Sequence, residues 1–329
     1  MKLHRSYSAV LFLFALPALA GSEPPLKLAR TIHLPGVEGR IDHLAFDSSG
    51  KRLFVCALGN NSVEVIDLAK GEKVRSITGL GAPQGVAYLA DSNRLVVAND
   101  EGGRCTIYDA KSFQPLATVD LKDDADNIRY DSAAHQVLAG FGSGGIAIID
   151  PTAGKQLGAI SLPAHPESFQ FERNGPRIFV NVPSRLQVAV LDRDQRKVVA
   201  RWRTDWAASN FPMALDETNH RLFVGCRAPA KLLVLNTDSG EVVSKMEIAG
   251  DSDDLFYDNK RHHVYAICGA GRIDVIAQSG PDSYQRLTGV DTAEGARTGL
   301  FVPELDTLFV AVPHKGSQPA GIRAYDVRD

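Results

Sequence analysis

The side chains best suited to chemistry in this chain are Asp42, His43, Gln84, Asp126, Asn127, Glu167, Asp253, Asp254 and Arg297. Their types allow three kinds of work. The five carboxylates, with the amide carbonyls of Gln84 and Asn127, are hard oxygen donors of the sort that hold calcium or another divalent cation. Asp42 beside His43, or Asp126 with Glu167, can act as acid and base. Arg297 can pair with Asp253 and Asp42, which is the structural default. Neighbours on one strand point to opposite sides, and that places Asp42 poorly for orienting His43.

A repeat relates these residues. The stretch "RLFVCALGNNSVEVIDLAKGEKVRSI" starts at Arg52, and kindred stretches start at Arg94, Gln136, Arg177, Arg221, His263 and Thr307. The steps are 42, 42, 41, 44, 42 and 44 residues. Each unit is a set of short runs rich in Val, Ile, Leu and Phe, broken by Gly, Asn, Asp, Ser and Pro. No long stretch has a helical period. Each unit therefore reads as four short strands. One four-stranded sheet cannot bury both faces, but seven packed around an axis can. The fold class is all-β, a seven-bladed β-propeller of four-stranded blades. The last unit stops after its third strand, "GIRAYDV", and "LKLARTIHL" (residues 26–34) has the pattern of a fourth strand. The N-terminal strand is expected to close the last blade and cover its edge.

The register follows from one spacing. Phe46, Tyr88, Tyr130, Phe171, Leu215, Tyr257 and Phe301 each stand seven residues before an apolar residue of the next strand. Four residues earlier lies the start of each innermost strand: Asp42, Gln84, Asp126, Glu167, Phe211, Asp253 and Arg297. The next position reads His43, Gly85, Asn127, Ser168, Pro212, Asp254 and Thr298. These positions are expected to ring one mouth of the central channel. The identity changes from blade to blade, as a ligand site on a rigid frame requires. Drift among solvated turns gives the same pattern. Donors on opposite blades also stand far apart for one metal ion. His165 can lean into the same mouth or lie on a surface loop. By contrast, Asp67, Asp109, Asp150, Asp192 and Asp326, with Asn236, recur at the end of the third strand, where Asp and Asn cap turns.

The unit resembles the YVTN repeat of YncE-like bacterial β-propellers, most clearly in the stretches that start at Arg52 and Arg221. The resemblance covers essentially the whole chain after residue 20. It implies an exported propeller, often a binding protein, and transfers no catalytic residue. WD-repeat signatures and the Trp-rich motifs of quinoprotein propellers are absent.

Composition narrows the function classes. The 329 residues are 44% hydrophobic and 23% charged with a formal net charge of −3, so no basic surplus suggests nucleic acid. Lys2, His4 and Arg5 precede an apolar run (residues 9–20) that ends in Ala18-Leu19-Ala20, the pattern of a signal peptide cleaved after Ala20. Residues 21–329 then form one domain, exported to the periplasm or secreted, and no later run is long enough to span a membrane. Cys56, Cys105, Cys226 and Cys268 form no CxxC or CxxCH; they read best as buried small hydrophobes. Trp202 and Trp206 lie on or after an outer strand and serve either packing or a partner surface.

The leading expectation is a binding or interaction protein whose acidic mouth takes a small polar or cationic ligand or a protein partner. No cofactor is implied apart from calcium or another divalent cation. A hydrolase or lactonase-like enzyme at the same mouth is the second reading, and an electron-transfer accessory the third.

Overall fold

The computed structural model describes residues 23–142 and 144–329. The expected signal segment, residues 1–20, lies outside them. Seven antiparallel sheets follow one another along the chain. Six are built in strict sequence order. The first runs Leu44–Asp47, Arg52–Ala57, Ser62–Asp67 and Glu72–Thr78 from the axis outward. The seventh takes Gly299–Val302, Thr307–Val312 and Gly321–Val327 from the C-terminus and Leu26–His33 from the N-terminus. The expected closure is present, with Leu26 opposite Val327 and His33 opposite Gly321. Blade six carries an extra short strand, Val290–Asp291, against Arg272–Gly280. The only helical turns among the described residues are three of 3₁₀ type, three residues each.

The core lies between the blades. Seven apolar clusters each join two neighbouring sheets and together complete the circle. The middle strands are buried on both faces, so they read as apolar runs without alternation. Leu53 to Ala57, for example, are all fully buried. The four cysteines are free and buried within these clusters or their edges. Asp67, Asp109, Asp150, Asp192 and Asn236 of the recurring set cap turns: Asp109 Oδ1 accepts from the amides of Lys111 and Ser112 at 3.1 and 2.7 Å, and Asn236 Oδ1 accepts from Asp238 and Ser239 at 2.7 and 3.1 Å.

The arginine that opens many of the repeat units has its own job. Arg52 Nη1 donates to the carbonyl of Ala110 in the next blade at 2.7 Å, and Arg221 Nε donates to Pro281 at 3.2 Å. Arg94 and Arg177 reach Pro151 and Thr237 in the same way. Arg52 is also held by the fully buried carboxylate of Asp47 at 2.7 Å. Truncating Arg52 to Ala removes the strap and leaves Asp47 without its cation. The expected cost is about 2–3 kcal/mol, measured as a lower urea midpoint with unchanged slope.

Candidate functional site

Six of the seven inner strands start with a β-bulge, which decides where the mouth side chains go. The register slips between Pro83 and Gly85, Ala125 and Ile128, Asn210 and Met213, and Ser252 and Asp254. In blade one, Asp42 N donates to Cys56 O and Cys56 N donates to His43 O; Glu167, Ser168 and Asn181 repeat this in blade four. Two residues thus oppose one, and strand alternation is suspended at that point. In blade one both members of the pair, Asp42 and His43, therefore come together, 3.8 Å apart. The bulge also frees an amide for the neighbour: His43 N donates to Gln84 O and Ser168 N to Phe211 O across blades. Blades two and three approach so closely here that a Cβ on Gly85 would stand 2.1 Å from Asp126 O.

This geometry corrects one expectation. His43 Nε2 lies 3.8 Å from Asp42 Oδ1, and His43 Nδ1 lies 3.4 Å from Asp254 Oδ1. The imidazole sits between two carboxylates. Burial acts to lower its pKa, but Asp254 above all, then Asp42 and Asp126, overcome this and raise it to about 10. A protonated imidazole cannot serve as a general base near neutral pH. Asp254 is itself fixed by the Gly299 amide at 2.8 Å.

Arg297 is corrected as well. It pairs with Asp251 at 3.0 Å, not with Asp253 or Asp42. Asp253 is held at 2.5 Å by Arg227, whose guanidinium also covers the Phe211 ring at 4.2 Å. Asp42 is held at 2.7 Å by Arg40. Gln84 donates to Asp124 at 3.0 Å, and Asp124 in turn faces His165 at 3.4 Å, so His165 joins the mouth through an intermediary.

Two carboxylates are left over. Among the described residues, neither Asp126 nor Glu167 has a cationic side chain within pairing distance, and Asn127 Oδ1 in the same ring is buried without a hydrogen-bond donor. Burial and the charges of Asp126 and Asp253 raise Glu167 to about 8. Burial, opposed by Arg227 and reinforced by Asp42, raises Asp253 to about 7. Burial, opposed by His43 and reinforced by Asp42 and Asp124, raises Asp126 to about 6. The mouth has more acceptors than donors and makes up part of the deficit with protons. Arg40, half exposed, feels Asp253, Asp126 and Glu167 as well as Asp42. The chain's own guanidinium already leans over the acid ring.

Below the mouth the inner strands enclose a cavity of about 310 Å³. Its wall mixes apolar and small residues with His43, Asp254, Gln170, Arg129, Tyr88 and Tyr130. Arg129 donates to Ile128 O at 2.8 Å and lies 5.5 Å above the Phe169 ring. Sequence reasoning missed Arg40, Arg129 and Arg227. Arg129 was within reach, because it lies two residues along the strand from Asn127 and so faces the same way. Among the described residues no group of three or more His, Cys, Asp or Glu is arranged to hold a metal ion. No helix among them is long and apolar enough to cross a membrane.

No family model matches the chain, and no curated protein matches it. The resemblance to YncE-like propellers therefore gains no support at family level. Solved structures do match. A chain in the crystal structure of a mitotic checkpoint complex aligns over 99% of both chains with a TM-score of 0.78 at 15% identity. At that identity the likeness establishes the fold, a β-propeller, and nothing finer.

Proposed function

We propose that the protein is a binding protein whose channel mouth takes a cationic group, the ammonium or guanidinium of a small ligand or of a partner's side chain. The observation that carries this reading is the pair Asp126 and Glu167, two carboxylates with no cation within pairing distance among the described residues, in a ring where Asp42 and Asp253 each have one. A bound cation replaces the protons that the ring otherwise takes up. The neighbour of similar fold belongs to a protein complex, which suits an interaction role. The basic and apolar N-terminal residues support export. The enzyme reading keeps one asset, a Glu167 that holds its proton near neutral pH as a general acid does.

The test is calorimetric titration at pH 8 with arginine, agmatine, putrescine and calcium chloride, each against parent protein, Asp126→Asn with Glu167→Gln, and Arg40→Ala. The double amide variant is expected to bind the responding cation at least about tenfold more weakly. Arg40→Ala is expected to bind it more tightly, because the internal competitor is gone. If no cation binds the parent, the reading fails. A response to calcium alone moves the assignment to a metal site. Turnover of lactone or ester by the parent, lost in Glu167→Gln, moves it to the enzyme.

A further inference from the structure

The two tryptophans have separate fates. Trp202 stacks on Phe179 at 5.5 Å and packs against Gly240 of the next blade, where a Cβ would stand 2.1 Å from the indole. Trp206 is 73% exposed. It sits in the turn Thr204–Ala207, closed by Ala207 N to Thr204 O at 2.9 Å. Both central residues are left-handed, Asp205 at φ 48° and Trp206 at φ 66°. Such turns favour Asn and Gly, and a bulky residue there is strained. The most exposed large apolar side chain among the described residues is thus held in a backbone state that Gly would fill more comfortably. Strain of this kind collects at binding sites.

Trp206 borders a groove of about 660 Å³ between the outer strands of blades four and five, with Leu186, Val242 and Val243 as its apolar lining. Arg185, Arg203 and Lys245 line it as well, beside two acids, Asp205, which Lys245 pairs, and Glu241; the edge next to it is basic. The outer strand Lys197–Arg203 reads KVVARWR, with Lys197, Val199, Arg201 and Arg203 exposed and no acid. Among the described residues Lys197, Arg201 and Arg203 have no carboxylate within pairing distance; Arg203 lies over the Trp206 ring at 5.2 Å. In a chain of net charge −3 this is an isolated positive strip. The strand is also the last of its sheet, bonded on one side only, to Gln187–Asp192. An open edge accepts a further strand.

We propose that this groove docks an extended acidic segment of a partner protein. The segment adds to the edge of Lys197–Arg203, sets its carboxylates against Arg201 and Arg203, and seats an apolar side chain on Trp206. Trp and Arg are the residues that dominate protein interfaces. A nucleic-acid track needs successive aromatic platforms along a basic groove, and here a single ring is presented.

The test uses the full protein and fluorescence anisotropy of a strand-length peptide alternating Glu and Leu, its Lys-for-Glu counterpart, and oligothymidylate of matched length. The acidic peptide is expected to bind, and to lose about tenfold or more in Trp206→Ala and in Arg201→Glu with Arg203→Glu. Trp206→Gly is expected to lose binding while its Tm stays level or rises, since Gly relieves the turn. The proposal is overturned by any of four results: no binding of the acidic peptide, equal binding of the Lys peptide, tighter binding of oligothymidylate, or a marked fall of Tm in Trp206→Gly.

Discussion

A chain that starts at Leu34 does not fold cooperatively, whereas a permuted chain that carries residues 25–33 after its own C-terminal strand does. The expectation rests on what Leu26–His33 does in blade seven. It supplies the outer strand of a sheet whose other three strands come from the opposite end of the chain. Its Leu26 and Ile32 are 2% and 1% exposed. Leu26 packs with Tyr265 and Tyr325 in the cluster between blades six and seven, and Ile32 packs with Leu53 and Phe309 in the cluster between blades seven and one. Burying two such side chains contributes about 3–6 kcal/mol. A lost ladder of hydrogen bonds adds to this, and the total rivals the whole stability of an ordinary domain, about 5–15 kcal/mol.

The permutation separates loss of a strand from loss of the N-terminus as such. Leu26 stands opposite Val327, and Arg328 N donates to Pro25 O at 2.9 Å. A tight turn can therefore join the C-terminal strand directly to the N-terminal one. Closure then becomes a hairpin instead of a contact across almost the entire sequence, so the permuted chain is also expected to refold faster. Circular dichroism during urea titration and stopped-flow refolding read both effects. A truncated chain with the parent's midpoint would remove the closure from the account of stability.

The propeller was legible in the sequence because it is written seven times. Units of about the same length expose the strand order, the turn caps and the closing strand through comparison within one chain. The mouth was half legible for the same reason. Equivalence located Asp42, Asp126, Glu167 and Asp253 at one end of the inner strands, and the structure puts them there. What equivalence could not show is how the side chains pair. Arg227 comes from a second strand and Arg40 from the connection ahead of a first, so neither stands in the registered columns, yet each holds one of the acids. Arg297 stood in the column beside two acids and chose Asp251, which lies outside it. The bulge was invisible for a different reason: its two residues carry no shared Gly or Pro, since the backbone distortion is set by hydrogen bonding to the next strand. That distortion brought His43 and Asp42 together where simple alternation separates them.

Raising the pH from 5 to 9 is expected to destabilise the protein, and Glu167→Gln to remove much of that loss. The folded state holds Glu167, Asp253 and Asp126 at about 8, 7 and 6, above their ordinary values of 4.5, 3.8 and 3.8. His43 is held at about 10 against 6.5. In all four the folded state binds the proton more tightly than the unfolded state. Each therefore contributes stability that is complete below its unfolded value and is lost as pH rises through its folded value. The carboxylates lose theirs between about pH 4 and 8, and His43 between about 6.5 and 10. The turn-capping Asp67, Asp109, Asp150 and Asp192 are shifted the other way, chiefly by backbone amides, and their contribution is lost only as pH falls below their ordinary 3.8. Stability should peak near pH 5 and fall continuously to pH 9, by less than the sum of the four separate shifts because the groups share one another's charges. At pH 9 Glu167→Gln should exceed the parent by up to about 4 kcal/mol, and at pH 5 the two should match. A cationic ligand should show the opposite slope, binding more tightly as the same protons leave, so the mouth is least stable at the pH where it binds best. Thermal melts of both proteins across this range, with and without the responding cation, test the two slopes together. A parent that melts higher at pH 9 than at pH 5 would remove the crowded acids as the source of either.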